Sequence, residues 1–175
     1  MNTRQLALLS VLTALCVGLQ LALRPVQINV EFTSLISFIV GVAFGSWIGA
    51  TLGAFVMFVN GFLSPYGFAG PVILPFQMVG MFLIGFVCGL YSKAFGGITS
   101  KRAPVKVAVL GALLTLIYDI MTNLGFSLFA NSIAAFISVL VMGGALFSFI
   151  HVISNAFLFM ASIPILNAIR ELVRR

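Results

Sequence analysis

The sequence predicts an all-α integral membrane protein: six transmembrane helices with both termini cytoplasmic, and a short embedded or re-entrant segment before the last helix. Three observations carry this. The 175 residues are 62% hydrophobic and 7% charged, where a soluble domain is about 45–50% apolar and about 25% charged. The apolar residues fall into runs that suit membrane spans. The lysines and arginines sit at the ends of those runs, as topology signals do. The length suits one membrane domain over residues 1–175. The net charge of +6 therefore marks membrane orientation and not nucleic-acid binding.

The first span is Gln5 to Leu23, about 28 Å of helix at 1.5 Å per residue. Arg4 before an apolar run has the form of a signal peptide, but the run is about 19 residues long and no convincing small-residue cleavage site follows. It reads as a retained span. Ser10, Ala14 and Gly18 recur every four residues and make a stripe where another helix can approach. Arg24-Pro25 ends the span, and the loop to Glu31 holds Gln27 and Asn29.

Two short spans follow, 32–44 and 47–62, with Gly45-Ser46 between them. Gly41, Gly45, Gly49 and Gly53 form a four-residue ladder, a packing signal in membrane helices. The loop Phe62 to Pro71 reads FLSPYGFAGP, whose Pro, Gly and aromatic content predicts a compact, ordered turn. The fourth span is 71–91, with Gln77 early and Gly85 and Gly89 as a close-approach face. The fifth is 104–125. From Phe126 to Arg170 the run is too long for one span. Gly143-Gly144 divides it into a short embedded piece, Asn131 to Met142, and a last span, 145–169. Cys16 and Cys88 fall inside spans and read as small apolar packing residues.

Six spans put Arg4, Lys93, Lys101, Arg102, Lys106, Arg170, Arg174 and Arg175 on one face and Arg24 on the other. The positive-inside rule makes the basic face cytoplasmic.

Asp119 is the one acid inside a long apolar run, and the chain has three acids in all. A carboxylate in hydrocarbon costs several kcal/mol or more and usually faces a cavity, a partner or a substrate. Asn123 shares its helical face and Tyr118 flanks it. On the last span His151 and Asn155 share a face in the same way. Asn60, Gln77 and Tyr66 fall on the same, outer side, and Arg24, Gln27, Asn29 and Glu31 border it. Their coincidence in depth predicts a polar cavity open to the outside and closed below by apolar packing. Each residue alone has a plainer reading. His151 suits a helix–helix hydrogen bond, Arg24 an interface anchor, and Asn60 and Gln77 partners for freed backbone.

The chain lacks a G-x-x-x-x-G-K-[ST] phosphate loop, so it does not itself hydrolyse ATP by that device. No Cys/His cluster has metal-ligand spacing. No nucleophile–base pair stands out, and no cofactor site is expected. Two other classes compete: a membrane scaffold whose polar residues only lock helices, and an intramembrane enzyme using Asp119 and His151 as an acid–base pair.

The pattern resembles the substrate-binding S components of energy-coupling factor (ECF) vitamin transporters. The resemblance spans nearly the whole chain. It rests on size, six spans, the Ser10/Ala14/Gly18 stripe, the glycine-rich second and third spans, and the SPYGFAGP loop. The strings Tyr118-Asp-Ile-Met-Thr-Asn123 and His151-Val-Ile-Ser-Asn155-Ala add to it. It implies a subunit that captures a vitamin or related micronutrient from outside with high affinity. That subunit docks on a transmembrane coupling protein with two cytoplasmic ATPases and topples in the membrane to deliver its cargo. Ser10, Ala14 and Gly18 would form the docking face, although the family's stripe is usually richer in alanine. The cobalt and nickel members use an N-terminal His, and this chain begins Met1-Asn2-Thr3. A corrinoid, riboflavin, pantothenate and a queuosine precursor all remain open as substrates. Asp119 suits a cationic or hydrogen-bond-donating group, Arg24 a carboxylate, and the ring-bearing loop at Tyr66 and Phe68 a flat ring.

Overall fold

The computed structural model describes residues 3–23, 31–64, 68–94, 101–138 and 145–174. All regular structure among them is helical: α1 (Thr3–Leu23), α2 (Phe32–Phe44), α3 (Ser46–Leu63), α4 (Ile73–Ala94), α5 (Ala103–Phe129), α6 (Ile133–Ser138), α7 (Ala145–Ala161) and α8 (Ile163–Arg174). Five stretches are long and apolar enough to cross a membrane: Thr3–Leu23, Ser46–Leu63, Ile73–Ser92, Ala103–Phe129 and Ala145–Ile169. The sixth, Phe32–Phe44, is apolar but has 13 residues, about 20 Å of helix. Six helices thus match the six expected spans.

The α2–α3 hairpin turns on one residue. Gly45 has φ +108°, a conformation that side chains with a Cβ rarely adopt. Its N–H donates to Gly41 O at 3.1 Å, and its carbonyl accepts from Ile48 and Gly49, also at 3.1 Å. It ends one helix and opens the next. Gly45 is therefore not a rung of a packing ladder, as the four-residue spacing suggested. A Cβ there would meet nothing within 4 Å. Ser46 likewise belongs to α3 and not to the break.

The other three glycines do pack. A Cβ on Gly49 would stand 2.5 Å from Gly41 Cα, and one on Gly53 would stand 2.6 Å from Met81 O. Gly41 and Gly85 are in backbone contact, and Gly85 also meets Gly49. Gly89 lies so close to Ser46 that a Cβ would sit 2.5 Å from Ser46 Cα. Contact of α2, α3 and α4 at backbone distance follows from the absence of side chains at these points. One core cluster, Leu9, Cys16, Val17, Val40, Leu52 and Val56, joins α1 to α2 and α3. The other, including Phe38, Met81, Cys88, Val107, Tyr118, Phe159 and Leu166, joins α2, α4, α5, α7 and α8. Both cysteines are free and buried in these clusters.

Two boundaries differ from expectation. α5 continues past Gly125 to Phe129 and stops at Asn131, whose φ is +49°. Ser132 N–H returns to Ser127 O, and Asn131 N–H returns to Leu128 O, each at 3.2 Å. This double closure needs a left-handed residue after the helix, a role that Asn tolerates. The expected last span, 145–169, is two helices. Ser162 is the break: its hydroxyl donates to Phe159 O at 2.7 Å. Pro164 follows, with no N–H for the preceding turn and a ring that crowds it. The short segment expected between Asn131 and Met142 contains α6; its residues from 139 on lie outside the described residues.

The loop after α3 doubles back, with Ala69 N–H on Gly61 O at 3.3 Å and the Phe62 and Phe68 rings stacked at 4.9 Å. Residues 65–67, Tyr66 among them, lie outside the described residues.

Gly85→Ala is expected to lower unfolding stability in detergent by about 1–3 kcal/mol, because the new methyl group meets backbone. Gly18→Ala, where a Cβ meets nothing within 4 Å, is expected to hold or raise it by up to about 1 kcal/mol. Thermal unfolding followed by circular dichroism compares the two; an equal loss in both would remove the close-packing account.

Candidate functional site

α5 and α7 run antiparallel and meet in three rungs, each one helical turn from the next. His151 Nδ1 lies 2.7 Å from Asp119 Oδ1. Asn155 Nδ2 donates to Thr115 Oγ1 at 2.9 Å. A Cβ at Gly111 would stand 2.5 Å from the Phe159 ring. The rungs pass from charged to polar to apolar. Phe159 in turn stacks on Phe38 of α2, with ring centroids 4.5 Å apart and planes 12° apart. The floor beneath the polar groups is thus aromatic and closed.

α2 adds the third member of the charged rung. Glu31, immediately before α2, is 8% exposed, and its Oε2 lies 3.2 Å from His151 Nε2. That approach is within ion-pair range but lacks hydrogen-bond alignment, so Nε2 has no hydrogen-bond partner among the described residues. The 2.7 Å contact to Asp119 is the stronger of the two, at the short end of the charge-assisted range. Ser34, one turn into α2, donates to Glu31 Oε2 at 3.3 Å. His151 is 2% exposed and stands between the two acids. Two carboxylates against one imidazole leave a formal charge of −1 with the ring protonated and −2 with it neutral.

The imidazole separates the acids, one at each nitrogen. The three groups share no common point at ligating distance, and no metal-holding group of His, Cys, Asp and Glu exists among the described residues. The arrangement suits mutual hydrogen bonding better than a chelate. Asp119 Oδ2 and Asn155 Oδ1 are buried and accept from nothing among the described residues. Tyr118 sets its ring edge-on to His151, with centroids 5.8 Å apart. Gly80 makes room for that ring, since a Cβ there would stand 2.7 Å from Tyr118 Cδ2.

Among the described residues, Asn123, Gln77 and Asn60 share this end of the bundle and make no hydrogen bond to the cluster. Gly80 facing Tyr118, and Gly125 facing Phe76, fix the α4–α5 register. It places Gln77 a turn beyond Tyr118 and near the level of Asn123. Both are half-buried. Asn60 is 4% exposed at the end of α3, beside Gly61, which packs on Leu74 near the start of α4. Arg24, Asn29 and Gln27, like Tyr66, lie outside the described residues. Ser10, Ala14 and Gly18 are exposed along one face of α1, and Ser10 Oγ donates to Leu6 O of its own helix at 3.0 Å.

The family model for the ECF transporter substrate-specific component matches residues 4–163. The chain belongs to this family. It is a substrate-binding S component, with membrane helices consistent with transport. No curated protein and no solved structure gives a significant match. In the S component, Ser34 and Thr115 hydrogen-bond to Glu31 and Asn155 and had no role in the sequence reading, while Glu31, expected only to border the outer side, lies against His151 directly. A signal for Glu31 was present: it is one of only three acids, and it directly precedes an apolar helix. The serine and threonine carry no such signal.

A double-mutant cycle of Asp119→Asn and His151→Gln in unfolding stability is expected to give a coupling of about 0.5–3 kcal/mol. Asp119→Asn with Gln77→Ala, which share no hydrogen bond, should add within about 0.5 kcal/mol. A cycle near zero for the first pair would mean that the rung does not form in the membrane protein.

Proposed function

We propose that this S component captures a vitamin-sized micronutrient from outside the cell at the end that holds Glu31, Asp119 and His151. The observation that carries this reading is the burial of two acids and an imidazole among apolar helices, at one end only. Such groups are expensive in a bilayer and mark substrate or ion sites. Among the described residues, Arg4, Lys101, Arg102 and Lys106 sit at the other end, where α1 and α5 begin. The positive-inside rule makes that end cytoplasmic, so the acid cluster faces outward and both termini face in. The binding surface is read as Asp119, His151, Tyr118 and Glu31. Asn155 steadies it one turn below, and Asn123, Gln77 and Asn60 lie at the rim. Arg24, Asn29 and Tyr66 are proposed to complete it from the loops.

Delivery is proposed to run through a transmembrane coupling protein and two ATPase subunits, with α1 as the docking face. α1 buries Leu9, Thr13, Cys16, Val17 and Gln20 against its own bundle and leaves Ser10, Ala14 and Gly18 outward. Small residues on that outward face allow close approach of a second protein's helix.

Native mass spectrometry of gently purified protein tests the first half, with retention of a small organic molecule expected. A vitamin panel in thermal unfolding follows; a ligand at about 100 times its Kd adds roughly 2.7 kcal/mol of stability. Asp119→Ala is expected to weaken that ligand at least tenfold, since a hydrogen bond to a charged group contributes about 1.5–3 kcal/mol. Asn155→Ala should weaken it less, and both variants should fold. If both bind as the parent does, the cluster is a helix lock and not a pocket. Ala14→Trp is expected to spare binding and to depress uptake in cells that carry the coupling protein and ATPases. Uptake at the parent rate would remove the docking role of α1.

A further inference from the structure

The rung of Glu31, His151 and Asp119 does not balance in charge. One imidazole cancels at most one of the two carboxylates. The Glu31 and Asp119 side chains are only 11% and 12% exposed, so little water screens what is left. A net charge in such surroundings is costly unless an opposite charge lies close. The described residues supply none at this end. Every Lys and Arg in or directly before α1, α4, α5 and α8 stands toward the opposite end of the bundle.

Hydrogen-bond donors are short here too, which is a separate observation. Asn155 is 0% exposed and shares the α7 face of His151, one turn below it. Its Nδ2 is spent on Thr115, and its Oδ1 accepts from nothing among the described residues. Asp119 Oδ2 is in the same condition, and so is Oδ1 of Asn60, at this end of α3. Buried polar atoms are nearly always satisfied in a working protein. These three oxygens are enclosed, so a ligand meets first the carboxylate edges that remain exposed. What the three report is the sign of the deficit, because each is an acceptor that lacks a hydrogen.

We infer that this site takes a ligand carrying a protonated amine or a comparable N–H cation, and that this group seats against the exposed edges of the Glu31 and Asp119 carboxylates. The inference rests on the reading of the cluster as the capture site. An ammonium group brings both missing things, a positive charge and hydrogens to donate. A hydroxyl brings a hydrogen without the charge, and a sodium ion brings the charge without a hydrogen. A carboxylate or phosphate on the ligand would meet like charge and must point away from the rung. Attraction between opposite charges is strong where water is scarce, so the cluster selects among vitamin-sized molecules by charge before shape.

The test uses the full chain in a neutral detergent, near neutral pH and at constant ionic strength. Thermal unfolding is followed with methylammonium chloride, sodium chloride and sodium acetate. A fragment of two non-hydrogen atoms reaches a Kd of about 6 mM at best, so about 100 mM of each salt is added. Methylammonium is expected to raise the Tm, and the two sodium salts are expected not to. Asp119→Asn and Glu31→Gln each remove one charge at nearly constant shape. Each should weaken methylammonium by about tenfold or more, as the loss of a hydrogen bond to a charged group does; if one variant does not fold, the other decides. No shift with methylammonium, or an equal shift with sodium chloride, overturns the inference. A shift that survives in both variants overturns the location. A shift that appears only in Arg24→Gln would make Arg24 the missing charge, and also overturns it. The vitamin panel separates this inference from the capture reading. A vitamin that binds at this cluster without a cationic N–H group overturns the inference and leaves capture standing. A methylammonium shift lost in both variants, with no vitamin bound, supports the cation site and removes capture of a vitamin.

Discussion

His151 is the point on which one half of this bundle depends. One imidazole reaches Asp119 of α5 on one side and Glu31, ahead of α2, on the other. Three segments far apart in sequence are joined through a single ring. The attraction between such groups is strong where water is scarce, and so is the cost of leaving any one of them alone. Removal of the ring would leave two carboxylates in apolar surroundings, and removal of either acid would leave the ring half-partnered. The three polar groups are thus held in fixed relation to one another.

The rungs below explain why the polar surface ends where it does. Thr115 with Asn155, then Gly111 with Phe159, carry the α5–α7 contact from polar to apolar within two turns. Phe38 closes the layer from α2. The other half is held by a different device, glycine contact of α2, α3 and α4 at Gly41, Gly49, Gly85 and Gly89. Lipid tails are as apolar as leucine, so helices in a membrane associate through shape fit and hydrogen bonds more than through hydrophobic exclusion. This chain uses shape fit in one half and charged hydrogen bonding in the other.

Individual residues show how far the sequence could be read. Asp119 and His151 stood out because ionisable groups are rare in apolar runs, and the structure joins them directly. The three packing glycines were legible from their spacing. Gly45 fell on the same spacing by coincidence; its backbone angle, which spacing does not encode, gives it a different role. Glu31 was read as a segment end that borders the outer side. Only the packing of α2 beside α7 brings its carboxylate to His151. The last span, 145–169, is one apolar stretch as read, but hydropathy is blind to the interruption at Ser162, where the hydroxyl and the missing N–H of Pro164 divide α7 from α8. Asn60, Gln77 and Asn123 share that end of the bundle but make no hydrogen bond with the cluster among the described residues.

Composition and the order of apolar runs determined that this chain is a bundle of membrane helices, because a bilayer leaves a spanning chain few ways to satisfy its backbone. The sequence pattern also sufficed to mark the family and the end at which polar groups gather. The partners of each polar group were decided only in three dimensions. A helix places its side chains every 100° or so around the axis, and residue spacing reports which of them share a face. It does not report which neighbouring helix that face meets. That was settled by the glycines that let α2, α3 and α4 touch, and by the α5–α7 register that set His151 level with Asp119.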